Sequence, residues 1–131
     1  MTEKNTAVLL MGHGSRVSEA NDALRVIAQQ VKEAGGYEIV EVSFRELHEP
    51  DIQAGIDRCV EQGAGRILLH PYFLFAGAHV LEDLPDEMNR AKERYPGLEM
   101  IMGQPLGTHP KLGEIVCDRV AESLTAAGWN R

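Results

Sequence analysis

Apolar positions along the 131-residue chain alternate between two patterns. Short continuous apolar runs read as strands covered on both faces, and stretches with apolar residues every three or four positions read as amphipathic helices. Ala7 to Met11 is the first run, and it ends at Gly12-His13-Gly14-Ser15. A helix is expected from Ser18, its N-cap, to about Ala34, with Ala20, Leu24, Ile27, Ala28 and Val31 on one face and Gly35-Gly36 as its stop. The second strand, Glu38 to Phe44, alternates in part and suits a sheet edge or a half-exposed position. A polar loop, Arg45 to Glu49, precedes Pro50, which fits the first turn of a helix carrying Ile52, Ile56, Cys59 and Val60. The third strand runs from Arg66 to about Phe75, with Pro71 bending or ending its ladder. The third helix carries Leu81, Leu84, Met88, Ala91 and Tyr95, and Pro85 predicts a break within it. The fourth strand is Leu98 to Met102. The last helix has Thr108 as N-cap and Pro110 just inside, and packs Leu112, Ile115, Val116, Val120 and Leu124 into the core.

This β-α-β-α-β-α-β-α order predicts an α/β three-layer sandwich around a four-stranded, mainly parallel sheet. One domain covers residues 1–131, with an ordered core over about 6–126. In such sheets ligands bind beyond the carboxyl ends of the strands. Three strand ends deliver metal-competent side chains there: His13 after the first, Glu46 after the second, His79 after the third and its loop. Two imidazoles and a carboxylate suit divalent first-row metals, and a neutral imidazole also accepts a proton near neutral pH. The other histidines have plainer readings. His70 lies in an apolar run and reads as a buried, hydrogen-bonded structural residue; His109 reads as a helix cap and His48 as exposed. Glu82, Asp83, Asp86 and Glu87 are expected to face solvent.

Composition narrows the partners. With 13 basic and 20 acidic residues the net charge is −7, a poor footing for phosphate-driven nucleic-acid binding. No apolar run approaches the roughly 20 residues needed to span a bilayer, and Met1 to Thr6 is polar. Cys59 and Cys117 stand alone, which reads as two free thiols in a reducing, cytoplasmic setting. The Gly12 to Ser15 loop invites a phosphate-binding, flavodoxin-like reading. However, neither GxGxxG nor GxxxxGK[ST] is present, so no ATP site is expected.

Several motifs carry a closer likeness: Leu10-Met11-Gly12-His13-Gly14-Ser15, Phe44-Arg45-Glu46 with Glu49-Pro50, and His70 to Val80. Asp83-Leu84-Pro85 and Pro105 to Pro110 complete the series. In this order they resemble the class II tetrapyrrole chelatases, in the short form of the sirohydrochlorin cobaltochelatases and their ferrochelatase relatives, over about Ala7 to Leu124. The resemblance implies a flavodoxin-like chelatase half-domain that inserts Co2+, or alternatively Fe2+ or Ni2+, into sirohydrochlorin on a route such as cobalamin biosynthesis, without ATP or an Fe–S cluster. It implies His13 as metal ligand and proton acceptor, His79 as second metal ligand, and Glu46 as the acidic residue assisting metal or substrate. Glu49, Leu74, Phe75, Ala76, Gly77 and Ala78, with His79, would contact the tetrapyrrole. Long forms of this family hold two such domains, so one domain implies a homodimer. Sirohydrochlorin is rich in carboxylates, which asks for local cations; Arg16 and Arg45 are nearest in sequence. A non-catalytic metal-delivery protein using the same histidine pair is the alternative of another class.

Overall fold

A computed structural model describes residues 5–75 and 77–130. The elements are β1 (Thr6–Gly12), α1 (Ser18–Gly35), β2 (Ile39–Phe44), α2 (Ile52–Glu61), β3 (Arg66–Pro71), α3 (Ala78–Arg94), β4 (Glu99–Met102) and α4 (Pro110–Ala127). The strands form one parallel sheet in the order β2-β1-β3-β4. The partly alternating β2 is indeed an edge strand, and β1 and β3 fill the centre. Their apolar runs follow from being flanked on both sides.

Register sorts the strand residues onto two faces. Ala7 aligns with Ile39, Ile67 and, through β3, Met100; Leu9 aligns with Leu69. These side chains join Ile52, Ile56 and Cys59 of α2 and Val80, Leu84 and Ala91 of α3 in the larger core. Val8, Leu10 and Val42 point to the opposite face and meet Leu24 and Ala28 of α1. Each fully buried Leu or Ile stabilises the fold by about 1.5–3 kcal/mol, so the α2–α3 face holds most of the stability.

Local chemistry departs from the expected pattern at several points. Ser18 is the first helical residue of α1, and Val17 occupies the N-cap position without a side-chain cap. Pro50 lies outside α2: Asp51 is the N-cap, its carboxylate accepting from Ala54 N–H at 2.8 Å. β3 ends at Pro71, four residues short of Phe75, because the ring removes the donor that a continuing ladder needs. Helix α3 runs without a break through Pro85. The proline lies on the exposed side, while Val80, Leu84 and Ala91 anchor the opposite side to the core. That apolar anchoring outweighs one lost backbone hydrogen bond. His109, not Thr108, caps α4, its Nδ1 accepting from Lys111 N–H at 3.1 Å, with Pro110 next.

The largest departure is α4 itself. It has the expected span and apolar stripe, yet none of its residues is buried. Ile115, Val116 and Val120 are exposed rather than packed in the core, and Leu112 and Leu124 are only partly covered. The described part of the sheet therefore has α2 and α3 on one face and α1 alone on the other.

Candidate functional site

Because β1, β2 and β3 run parallel in register, they end together: Gly12 pairs with Phe44, and Met11 with Pro71. Their following residues emerge on one edge of the sheet. His13 comes from β1, Arg45-Glu46 from β2, and Tyr72 to Phe75 from β3.

The glycines around His13 have specific causes. Gly14 has φ +90°, and a Cβ there would lie 1.6 Å from the Glu46 carbonyl oxygen. A Cβ on Gly12 would lie 2.9 Å from the Leu24 side chain. This close approach lets two backbone bonds clip the first and second loops together. Arg45 N–H donates to the Gly12 carbonyl (2.8 Å), and Glu46 N–H donates to the His13 carbonyl (3.0 Å). Beyond His13, buried Asn21 holds Ser15 by both the oxygen and the nitrogen of its side-chain amide. Its Oδ1 accepts from Ser15 N–H at 2.9 Å, and its Nδ2 donates to the Ser15 carbonyl at 2.7 Å. His13 is thus an exposed side chain on a tightly held backbone. Its ring rests against buried Phe73 at 4.1 Å between centroids, tilted by 44°.

Glu46 is exposed beside the Arg45 guanidinium, 3.7 Å away. Arg45 is committed elsewhere: it donates to the Asp83 carboxylate from Nη2 at 2.5 Å and from Nε at 3.2 Å. This hydrogen bond raises the Arg45 pKa further above its ordinary value. The pair ties the Glu46 loop to α3, the helix that starts with His79 at its second residue. His79 is exposed in that first turn. Gly77 is the α3 N-cap and Ala78 its first helical residue; Ala76 lies outside the described residues. Leu74 and Phe75 are exposed, Phe75 by 71%. Glu49 is also exposed, with its carbonyl accepting from Arg25 at 3.4 Å.

Two acidic residues expected in solvent are instead half-buried and paired. Asp83 holds Arg45, and Glu87 accepts from Gln53 Nε2 at 2.7 Å. With Glu46, Asp86 and Arg90 they line a polar cleft of about 370 Å3 between α2 and α3. His48 is half-buried rather than exposed, edge-on to Phe44 at 4.9 Å. His70 is half-buried and burial lowers its pKa; no hydrogen bond of its ring to another described residue accompanies that burial. Phe73 and Asp83 lie within the motifs quoted above but were given no role by the sequence, and Asn21 lies outside them.

Among the described residues, no three or more His, Cys, Asp or Glu side chains gather into a metal-holding group. His13, Glu46 and His79 share an edge without closing into a cage. Around them Val17, Leu47, Leu74 and Phe75 expose an apolar rim. The arrangement offers separate, accessible imidazole and carboxylate ligands next to a surface suited to a flat apolar face.

The CbiX family profile matches residues 7–123. The chain belongs to the CbiX family. Among its relatives, a sirohydrochlorin ferrochelatase from Priestia megaterium is 38% identical over 89% of this chain and 44% of the relative. A sirohydrochlorin cobaltochelatase from Methanopyrus kandleri is 34% identical over 90% of this chain and 96% of the relative. The sirohydrochlorin chelatase SirB from Bacillus subtilis subspecies spizizenii, solved in complex with cobalt, superposes with a TM-score of 0.83 at 36% identity. That match covers 90% of this chain and 50% of SirB. The chain spans about half the length of several relatives it matches, the ferrochelatases of Priestia megaterium and Arabidopsis thaliana among them. The CbiX match contains every candidate site residue, from His13 to His79. Among the described residues no helix is long and apolar enough to cross a membrane.

Proposed function

We propose that this CbiX protein is a sirohydrochlorin chelatase that inserts a divalent metal, cobalt in the first instance, into the macrocycle. The observation that carries the reading is the CbiX match over residues 7–123 together with an open edge where the three matched loops meet. Relatives named for cobalt and for iron insertion both match. Cobalt is preferred because the cobaltochelatases of Methanopyrus kandleri and Methanocaldococcus jannaschii align along 96% of their length.

Insertion of M2+ removes two pyrrole protons and strips water from the ion. In this reading His13 and His79 bind the incoming ion as neutral imidazoles. Two such ligands leave coordination positions free for the macrocycle nitrogens. His13, held by its clipped backbone and by Phe73, then accepts one pyrrole proton as the metal leaves, and the second passes to solvent water at the open edge. Glu46 offsets the positive charge of the ion on entry. Leu74 and Phe75, with Gly77 and Ala78, pack the face of the ring, and Glu49 meets its rim. Arg45 is held by Asp83 and so positions the Glu46 loop rather than binding substrate carboxylates. Neither ATP nor an Fe–S cluster takes part. The single domain works in the cytoplasm as a homodimer; the two free cysteines support a reducing compartment.

Anaerobic incubation of sirohydrochlorin with the protein and Co2+, Fe2+ or Ni2+, followed in the visible spectrum, tests the reading. Insertion well above the metal-only rate, fastest with Co2+, is the expected result. Absence of acceleration with every metal overturns the enzyme and favours a metal-delivery role for the same histidines.

A further inference from the structure

Among the described residues, two apolar surfaces of this chain lack a cover. The first is on α4. Ile115, Val116, Val120 and Leu124 form one stripe of the helix, and Trp129 extends it just past the C-cap; Trp129 is 71% exposed. The opposite side carries Glu114, Asp118 and Glu122. The second surface is on the sheet. Val8, Leu68 and Ile101 are aligned across β1, β3 and β4 and so share one face. α1 covers Val8. Leu68 is only partly covered and Ile101 is 63% exposed. A shallow groove of about 300 Å3 runs along this end of β3 and β4.

Parallel sheets occur almost only with both faces covered. Here α1 serves the β1–β2 half of one face, and no described residue outside the sheet buries Ile101 on the β3–β4 half. Among the described residues α4 is the one helix with nothing buried. Gly107 N–H donates to the Leu74 carbonyl and Leu106 N–H to the Phe73 carbonyl, both at 2.8 Å. These bonds hold the connector at the carboxyl edge, and α4 departs from there.

We infer that α4 is exchanged: its Ile115–Val116–Val120–Leu124 face covers the bare β3–β4 face of a second copy of this chain, and the copy returns its own α4. The inference deepens the homodimer part of the proposed function and rests on it. Exchange of an identical element is a low-cost route to a dimer, and a two-fold pair satisfies both bare surfaces at once. An 18-residue helix is about 27 Å long and about 10 Å wide, so two reciprocal contacts remove roughly 1,000 Å2 from water. That reaches the threshold of about 1,000 Å2 for a specific interface. Because the connector is bonded to Phe73 and Leu74, the exchange also braces the loop on which the His13 ring rests. Dimer formation and the geometry of the candidate site are thereby linked.

Sedimentation equilibrium on the intact chain, with Trp129 fluorescence recorded on the same samples, tests this. Trp129 is the chain's one tryptophan. The expected result is a species of twice the 14.5 kDa chain mass, whose emission shifts to the red on dilution as the dimer dissociates. Ile101→Glu and Val120→Glu both replace exposed residues, so each folds, as circular dichroism will report. Each alone sediments as a monomer, and their equimolar mixture recovers dimer, since one helix–sheet contact of the pair is intact. A dimer that survives both substitutions overturns the exchange and leaves a homodimer through another surface. A dimer lost with Val120→Glu but kept with Ile101→Glu means that α4 pairs with α4, which also overturns it. A monomeric wild type overturns both the exchange and the homodimer. Metal insertion by the same samples reads the chelatase assignment separately.

Discussion

Replacing Gly14 with alanine tests the clip between the first two loops. The new Cβ would be 1.6 Å from the Glu46 carbonyl oxygen, a backbone atom that no rotamer change can move aside. At φ +90° an L-residue is also strained, by about 1–3 kcal/mol. Relief requires the loops to separate, breaking the bonds from Arg45 N–H to Gly12 and from Glu46 N–H to His13. Each such bond contributes about 0.5–1.5 kcal/mol. The expected loss is about 2–6 kcal/mol, or roughly 10–20 °C in Tm for a domain of this size. Metal insertion falls further than stability alone explains, because misplacement of a catalytic group by about 1 Å can cost 100-fold. The assays are urea unfolding and the initial insertion rate well below Tm. Gly97→Ala, where an added Cβ meets nothing within 4 Å, is the control and stays near wild type. Wild-type stability and rate in Gly14→Ala would refute the clip.

Asp83→Asn removes the anchor of Arg45. The pair is partly exposed, so unfolding free energy drops by only about 0.5–1 kcal/mol. The insertion rate falls about tenfold as the Glu46 loop loosens, and an unchanged rate would remove Asp83 from the site. Burial pushes the Cys59 thiol up to about 12, and the thiolate is the reactive form. A thiol reagent at pH 8 should therefore label Cys117, which is exposed, and reach Cys59 only in denaturant; two equivalents in native protein would contradict the buried α2 contact. His70 has its folded pKa lowered by burial, so below about 6.5 the unfolded state binds the extra proton and stability falls with it. His70→Leu should lose less stability than wild type between pH 7 and 5 in parallel urea titrations; equal slopes would mean that His70 ionises freely in the fold.

Much of this fold is written locally. The apolar runs of β1 and β3 and the three-and-four spacing of α1, α2 and α3 reflect burial on known faces, so periodicity finds them. The edge position of β2 was legible in its weaker alternation. Helix α4 shows where such reading stops. Its stripe was visible in the sequence, but a stripe says only that something covers it, and the partner surface is not encoded in spacing. Pro85 differs from its local pattern for a related reason: the sequence reports the missing donor, while Val80, Leu84 and Ala91 holding the helix to the core are tertiary facts. In the candidate site, the placement of His13, Glu46 and His79 along one sheet edge was legible because strand ends of a parallel sheet share an edge. The parts that hold them are long-range. Asp83 meets Arg45 across 38 residues of chain, Phe73 meets the His13 ring across 60, and neither contact follows a local period.

The most direct test of the account compares cobalt insertion by wild type, His13→Ala and His79→Ala under anaerobic conditions, with equal far-ultraviolet circular dichroism and Tm confirming equal folding. Both side chains are exposed, so their loss leaves the core untouched. The account predicts rapid conversion of the sirohydrochlorin spectrum by wild type. It predicts a drop of about 100-fold or more for His13→Ala, which loses ligand and proton acceptor together, and a loss of the same order for His79→Ala. Wild-type rates in both folded variants would contradict the assignment of the sheet edge as the place of metal insertion.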